Sequence, residues 1–224
     1  MSLWVKICGN TSLADAQLAA DAGADAVGFV FAPSPRQVTP EQAAAIIANL
    51  PDPVEKIGVF VDASFTVIAA AIEQAGLTGV QIHSIELDGS DNLPSQLRQR
   101  FGPGLRILQV IHFGDDARAQ FAAVANDINI DGILIDSRTA LAPGGTGIAY
   151  DWKAARASLF STASGLKLIA AGGLNRTNVE EAIATLLPWG VDVVTGVEQS
   201  PGRKDPAKVR DFIHNARAAA AKLP

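Results

Sequence analysis

Apolar runs of strand length alternate with helical patterns from one end of the chain to the other, and few folds accommodate that order. The runs cover 3–8, 26–31, 56–61, 79–83, 105–112, 132–136, 167–171 and 191–196. Between and after them, helical spacing is read over 12–22, 40–49, 65–75, 93–101, 115–127, 151–159, 178–187 and 206–221, with apolar residues three and four apart, as in Ile68, Ile72 and Ala75. Strands that alternate with helices pair in parallel, because each crossover helix returns the chain to the same end of the sheet. Eight such units predict an α/β fold closed into a single-domain (βα)8 barrel over residues 1–224, with an open doubly wound sheet of five or six strands as the alternative. The 224 residues approach the roughly 250 of one barrel. Hydrophobic residues at 48% against 18% charged suit strands buried on both faces. Local signals agree with these limits: Thr39-Pro40, Ser12 and Asp151 can cap helix starts, and Gly23 and Gly76 stand where left-handed exits are wanted.

A formal net charge of −5 disfavours a nucleic-acid or anionic-membrane surface. No apolar stretch reaches the roughly 18 residues of a membrane span, and no basic-then-apolar leader precedes Leu3, so a cytoplasmic protein is expected. The single cysteine, Cys8, rules out an intramolecular disulfide. No His, Cys or carboxylate cluster has metal-ligand spacing, and no GxGxxG run follows a strand.

In a barrel of this kind chemistry sits at the carboxyl ends of the strands. Those ends offer Cys8, Arg36, His83, Asp136, Gly172-Gly173 and Gly196-Val197-Glu198. The first and sixth strands stand three steps apart on a ring of eight, so Cys8 and Asp136 would face each other across the mouth. Free cysteines often pack as small hydrophobes, and Asp136 could equally anchor a loop. Gly172-Gly173 and Gly196 end consecutive strands, where barrels commonly hold a phosphate, and the loop with Gly144-Gly145-Thr146-Gly147 precedes them by one unit. The stretch 137–150 is long enough to be a lid. Arg36 follows two loop-stiffening prolines, Pro33 and Pro35, and suits a fork aimed at a carboxylate. His83 ends the fourth strand and reads as a partly buried polar lid rather than a catalytic group, and His112 and His214 show no partner spacing.

Several of these segments, in order, resemble the phosphoribosylanthranilate isomerase family. They are Val5-Lys6-Ile7-Cys8-Gly9, Gly28-Phe29-Val30-Phe31 with Ser34-Pro35-Arg36, Ile135-Asp136-Ser137, Pro143-Gly144-Gly145-Thr146-Gly147, Ala171-Gly172-Gly173-Leu174 and Gly196-Val197-Glu198-Gln199-Ser200-Pro201-Gly202. The resemblance implies a cofactor-free Amadori rearrangement of a small phosphoribosyl substrate in tryptophan synthesis. It assigns Cys8 as general base, Asp136 as general acid and Arg36 as the anthranilate-carboxylate contact. It gives the phosphate to Gly172, Gly173, Gly196 and Val197, and closure of the site to the loop around Gly145. It leaves the oligomeric state open between monomer and homodimer. Ser84, Gln109 and Thr195 depart from the family pattern, which touches substrate packing and not reaction class. Indole-glycerol-phosphate synthase would carry a catalytic lysine and extra N-terminal helices, and the histidine-pathway isomerase an aspartate in place of Cys8. Neither signature is present. A non-catalytic phosphosugar-binding barrel remains the reading from a different class.

Overall fold

The computed structural model describes residues 3–83, 92–137, 150–161 and 165–223. Eight parallel strands close into a barrel in chain order: β1 (Trp4–Ile7), β2 (Ala26–Val30), β3 (Glu55–Phe60), β4 (Gly79–Ile82), β5 (Arg106–Phe113), β6 (Gly132–Ser137), β7 (Leu168–Ala170) and β8 (Gly190–Val193). Pairing of Trp4 with Gly190 through Ile7 with Val193 closes the ring. The open-sheet alternative is thereby excluded. The crossovers are α1 (Leu13–Asp21), α2 (Pro40–Ile47), α3 (Phe65–Ala75), α4 (Leu93–Phe101), α5 (Ala117–Val124), α6 (Trp152–Ala155) and α7 (Val179–Leu186). The chain finishes with a short hairpin, β9 (Glu198–Ser200) and β10 (Arg203–Lys204), and α8 (Pro206–Ala220). No described helix is long and apolar enough to cross a membrane.

The capping residues act as their chemistry requires. Thr39 accepts from the Gln42 N–H while the Gln42 side chain accepts from the Thr39 N–H, which makes a full capping box ahead of Pro40. Ser12 and Asp151 cap α1 and α6, and α3 exits through Gly76 at φ 72°. Two expectations change. The sixth helix is α-helical for one turn only and continues as a π-helix over Arg156–Phe160. The eighth strand stops at Val193, because the next residues turn to start the hairpin: Val197 and Glu198 donate back to Val194 and Thr195.

The core has two parts. The larger lies between strands and helices, with Val5, Ile7, Val27, Phe29, Val191 and Phe212 almost without solvent contact. The smaller fills the barrel, from Trp4, Ala26, Ile57, Leu134 and Ile169. Side chains along a strand alternate between these two spaces. Trp4, Lys6 and Cys8 therefore climb one inward face of the first βα unit, and Leu134 and Asp136 climb another. The barrel interior is apolar at its floor, charged at mid-height and carries a thiol and a carboxyl at its mouth.

Candidate active site

Cys8 follows directly on β1, with its N–H held by Val193 O at 2.9 Å. It is buried, and burial pushes its thiol above the ordinary cysteine value, with Lys6 opposing that rise. Cys8 fits because β2 has Gly28 beside it: a Cβ there would lie 2.5 Å from Cys8 Sγ and 3.0 Å from Lys6 Cε. Any larger residue at position 28 displaces the thiol.

Asp136 lies near the end of β6, 9% exposed and paired in register with His112 of β5. Burial, and then the charge of Asp192, push its carboxyl up to about 7. At neutral pH this aspartate is a proton donor for a large part of the time. Gly172 explains how β7 can pass so close. Its φ of 72° lies in the left-handed region, and a Cβ there would meet Ser137 N at 2.3 Å and Asp136 Oδ1 at 2.6 Å. Glycine at 172 thus keeps the acid's surroundings open as well as shaping the turn.

Gly173 continues that turn at φ 68°, and Asn178 stitches it by donating to Gly173 O and accepting from Asn175 N. Asn175 bridges to Gly196, so the two glycine turns after β7 and β8 form one surface at the mouth. That is the adjacency expected for a phosphate pocket. Val197 is fully buried, its N–H donating to Val194 O and its C=O accepting from Asp205 N. Gly145 and the loop around it lie outside the described residues, as does Ser84.

The Arg36 stem lies over Gly9, where a Cβ would stand 2.7 Å from Arg36 Cδ. Its guanidinium does not point idle into the mouth. Nε and Nη2 donate side-on to the two oxygens of Glu198 at 2.8 and 2.7 Å. Although burial pushes the Glu198 carboxyl up, Arg36 and Lys204 outweigh it and hold that carboxyl below its usual value. Lys204 also donates to Cys8 O and lies 3.2 Å from Glu198 Oε1. The β9–β10 hairpin is therefore a clamp that ties Arg36 to the backbone of Cys8. No hydrogen bond among the described residues uses Arg36 Nη1, and the end-on edge of Nη1 and Nη2 is not the edge that meets Glu198.

At the middle of the barrel lies a group that strand-end reasoning misses. Lys6 has no solvent exposure, and its ammonium donates to Asp192 Oδ1 at 2.9 Å and to Gln81 Oε1 at 2.8 Å. The signal was present: Val5-Lys6-Ile7 and Val191-Asp192-Val193 each place one charge between two apolar residues of a buried strand. Those two charges face each other in the β1–β8 register.

A family model for N-(5'-phosphoribosyl)anthranilate isomerase matches residues 5–215. The chain belongs to that family. A relative of that name from Desulforudis audaxviator is 42% identical over 216 residues, covering 96% of this chain and 98% of the relative. One from Pelobacter propionicus is 39% identical over 216 residues, with 95% of each covered. A crystal structure of phosphoribosylanthranilate isomerase in complex with reduced 1-(o-carboxyphenylamino)-1-deoxyribulose 5-phosphate superposes with a TM-score of 0.79. It shares 32% identity over 96% of this chain and 99% of the other. Membership of the phosphoribosylanthranilate isomerase family makes this barrel an isomerase of tryptophan biosynthesis.

Proposed function

We infer that Asp136 and Cys8 are the acid and base with which this chain carries out its family's rearrangement, the whole chain acting as one catalytic barrel. That reaction turns N-(5-phosphoribosyl)anthranilate into 1-(2-carboxyphenylamino)-1-deoxyribulose 5-phosphate, the third step of tryptophan synthesis from chorismate. The observation that carries the assignment is the placing of a buried carboxyl, pushed up to about 7, at the same barrel mouth as a buried thiol. Asp136 gives its proton to the ribose ring oxygen as the bond from that oxygen to C1′ breaks, and the anthranilate nitrogen takes up the electron deficit as an iminium. The iminium acidifies C2′, and Cys8 thiolate takes the C2′ proton. The resulting enolamine relaxes to the ketone. No net charge or electron is gained or lost, so the chemistry calls on proton carriers alone.

The substrate's two ends suit the two sides of the mouth. The Gly172-Gly173 turn offers backbone donors for the phosphate beside the Gly196-Val197 turn, with the loop holding Gly145 as the cover. Arg36 offers its end-on fork to the anthranilate carboxylate. A cytoplasmic location and a purely small-molecule partner accord with this reading.

The direct test is decay of anthranilate fluorescence on substrate made in situ. A chain that binds the product but shows no turnover would be a binding barrel. Arg36→Met should weaken kcat/KM by roughly 10- to 150-fold, the worth of a charge-assisted contact of about 1.5–3 kcal/mol, and mainly through KM. Ribose 5-phosphate should bind the variant and parent alike. If it weakens as much as the anthranilate-bearing ligand, Arg36 is a phosphate contact and the substrate lies the other way round.

A further inference from the structure

We propose that the buried Lys6–Asp192 ion pair is a fixed dipole that shifts the balance of the proton shared by Cys8 and Asp136 toward the aspartate, which makes Lys6 and Asp192 positioning residues for the rearrangement. The proposal rests on the acid and base roles given above.

The reasoning begins with proton counting. Burial raises both the Cys8 thiol and the Asp136 carboxyl, the latter to about 7. Between their two titrations the couple holds one proton. That proton can lie on sulfur, leaving a thiol and a carboxylate, or on oxygen, leaving a thiolate and a carboxylic acid. Both arrangements have the same total charge, and only the second can start the reaction. A neighbouring single charge would shift both groups the same way. A dipole separates them.

The ion pair has the orientation needed. Lys6 stands one inward step below Cys8 on the same strand face, its Cε and the thiol both lining the space that Gly28 leaves. Its ammonium donates to Asp192 and Gln81, and its Cε lies beside the thiol at the Gly28 gap. On Cys8 the positive end acts more strongly than the negative end, and on Asp136 the order is reversed. Burial weakens the hold of Lys6 on its proton, but Asp192 and Cys8 outweigh it and hold the ammonium above its ordinary value, so the positive end is permanent at neutral pH. Lys204 and Arg36 also face Cys8, while Tyr150 and the strand neighbour His112 lie by Asp136. All four stay in place when the ion pair is removed. Here Lys6 shares β1 with Cys8, and Asp192 on β8 stands one strand nearer β6 and Asp136, a placement that a pair only filling the polar middle of the barrel would not need. Such a pair could be exchanged for neutral residues of similar size at little cost.

The experiment is the double substitution Lys6→Met with Asp192→Asn, which leaves no unpaired buried charge. Cys8 is the only cysteine of the chain, so thiolate absorbance near 240 nm in the substrate-free protein reports that residue alone. Asp136 is followed by NMR of aspartate labelled with carbon-13 at the carboxyl, its signal identified by its loss in Asp136→Asn. The Cys8 midpoint should rise and the Asp136 midpoint should fall, each by about one pH unit or more, a tenfold change in each population. On the pH plateau kcat should drop ~100-fold, with KM within about threefold of the parent. Midpoints that stay in place, or that move together in one direction, overturn the dipole. If the double variant does not fold, Asp192→Asn alone is measured, and an unmoved Asp136 titration then overturns it. These titrations need no substrate, so they stand apart from the assignment of the base itself, which fails if Cys8→Ala retains turnover.

Discussion

Cys8→Ala should abolish turnover while fold and product binding stay close to the parent. Loss of a general base costs roughly 10²–10⁴-fold in rate, and more where no water can take its place. Water is poorly placed to substitute, because Cys8 is only 3% exposed and the space beside it is taken by Lys6 and closed by the strand at Gly28. The small cavity left by one sulfur at the barrel mouth should not unfold the protein, since neither core cluster depends on it. The check pairs a turnover assay with product binding by calorimetry. Turnover within a few-fold of the parent would reduce Cys8 to a packing residue and return the mechanism to an unidentified base.

Asp136→Asn should be as damaging, for an amide cannot deliver the proton that opens the ring. In the parent, the productive form carries thiolate and carboxylic acid together, so kcat/KM should be bell-shaped. Its rising limb should fall near pH 7, where the couple loses its first proton, and its falling limb in the alkaline range where burial has pushed Cys8. The same carboxyl has a cost in stability, and the sign is definite. Its folded value of about 7 lies above the ordinary 3.8. The folded state therefore binds the proton more tightly, and stability is full below the unfolded value and is lost as pH rises through the folded one. The loss is at most about 4 kcal/mol by pH 8. Asp136→Asn should accordingly lag or equal the parent in urea unfolding near pH 4.5 and gain on it steadily up to pH 8. A constant difference across that range would mean the carboxyl is not strained by burial, and with it would go the argument for a proton donor at neutral pH.

The barrel was legible because its strands are buried on both faces and so read as unbroken apolar runs between amphipathic stretches. Strand limits shifted by a residue or two, as at β7, where Lys167 and Ala171 lie outside the ladder. The β9–β10 hairpin was not legible, since Glu198 to Lys204 is short, mostly polar and interrupted by Pro201-Gly202. It is held by Glu198 to partners 162 positions back in the chain and 6 ahead. The mouth residues Cys8, Asp136, Arg36, Gly172 and Gly173 were found by reading strand ends. Lys6 and Asp192 escaped the same rule because they lie one layer below the ends, where only the barrel's closure brings them together. The reading of Arg36 was incomplete for a related reason: its partner Glu198 lies on the far side of the chain.

The closing of β1 against β8 also governs when this enzyme can come into being. Asp192 is made 186 positions after Lys6, so the bond between them must wait for the eighth strand. A chain still emerging from the ribosome, even with seven strands translated, holds a lysine and a thiol with no counter-charge, and an open strand edge on each side of the gap. Competence to bind and rearrange a substrate thus arrives only when β8 has joined the ring. Truncations that spare every mouth residue before β8 should yield no partial activity, because the missing strand carries the charge that completes the interior.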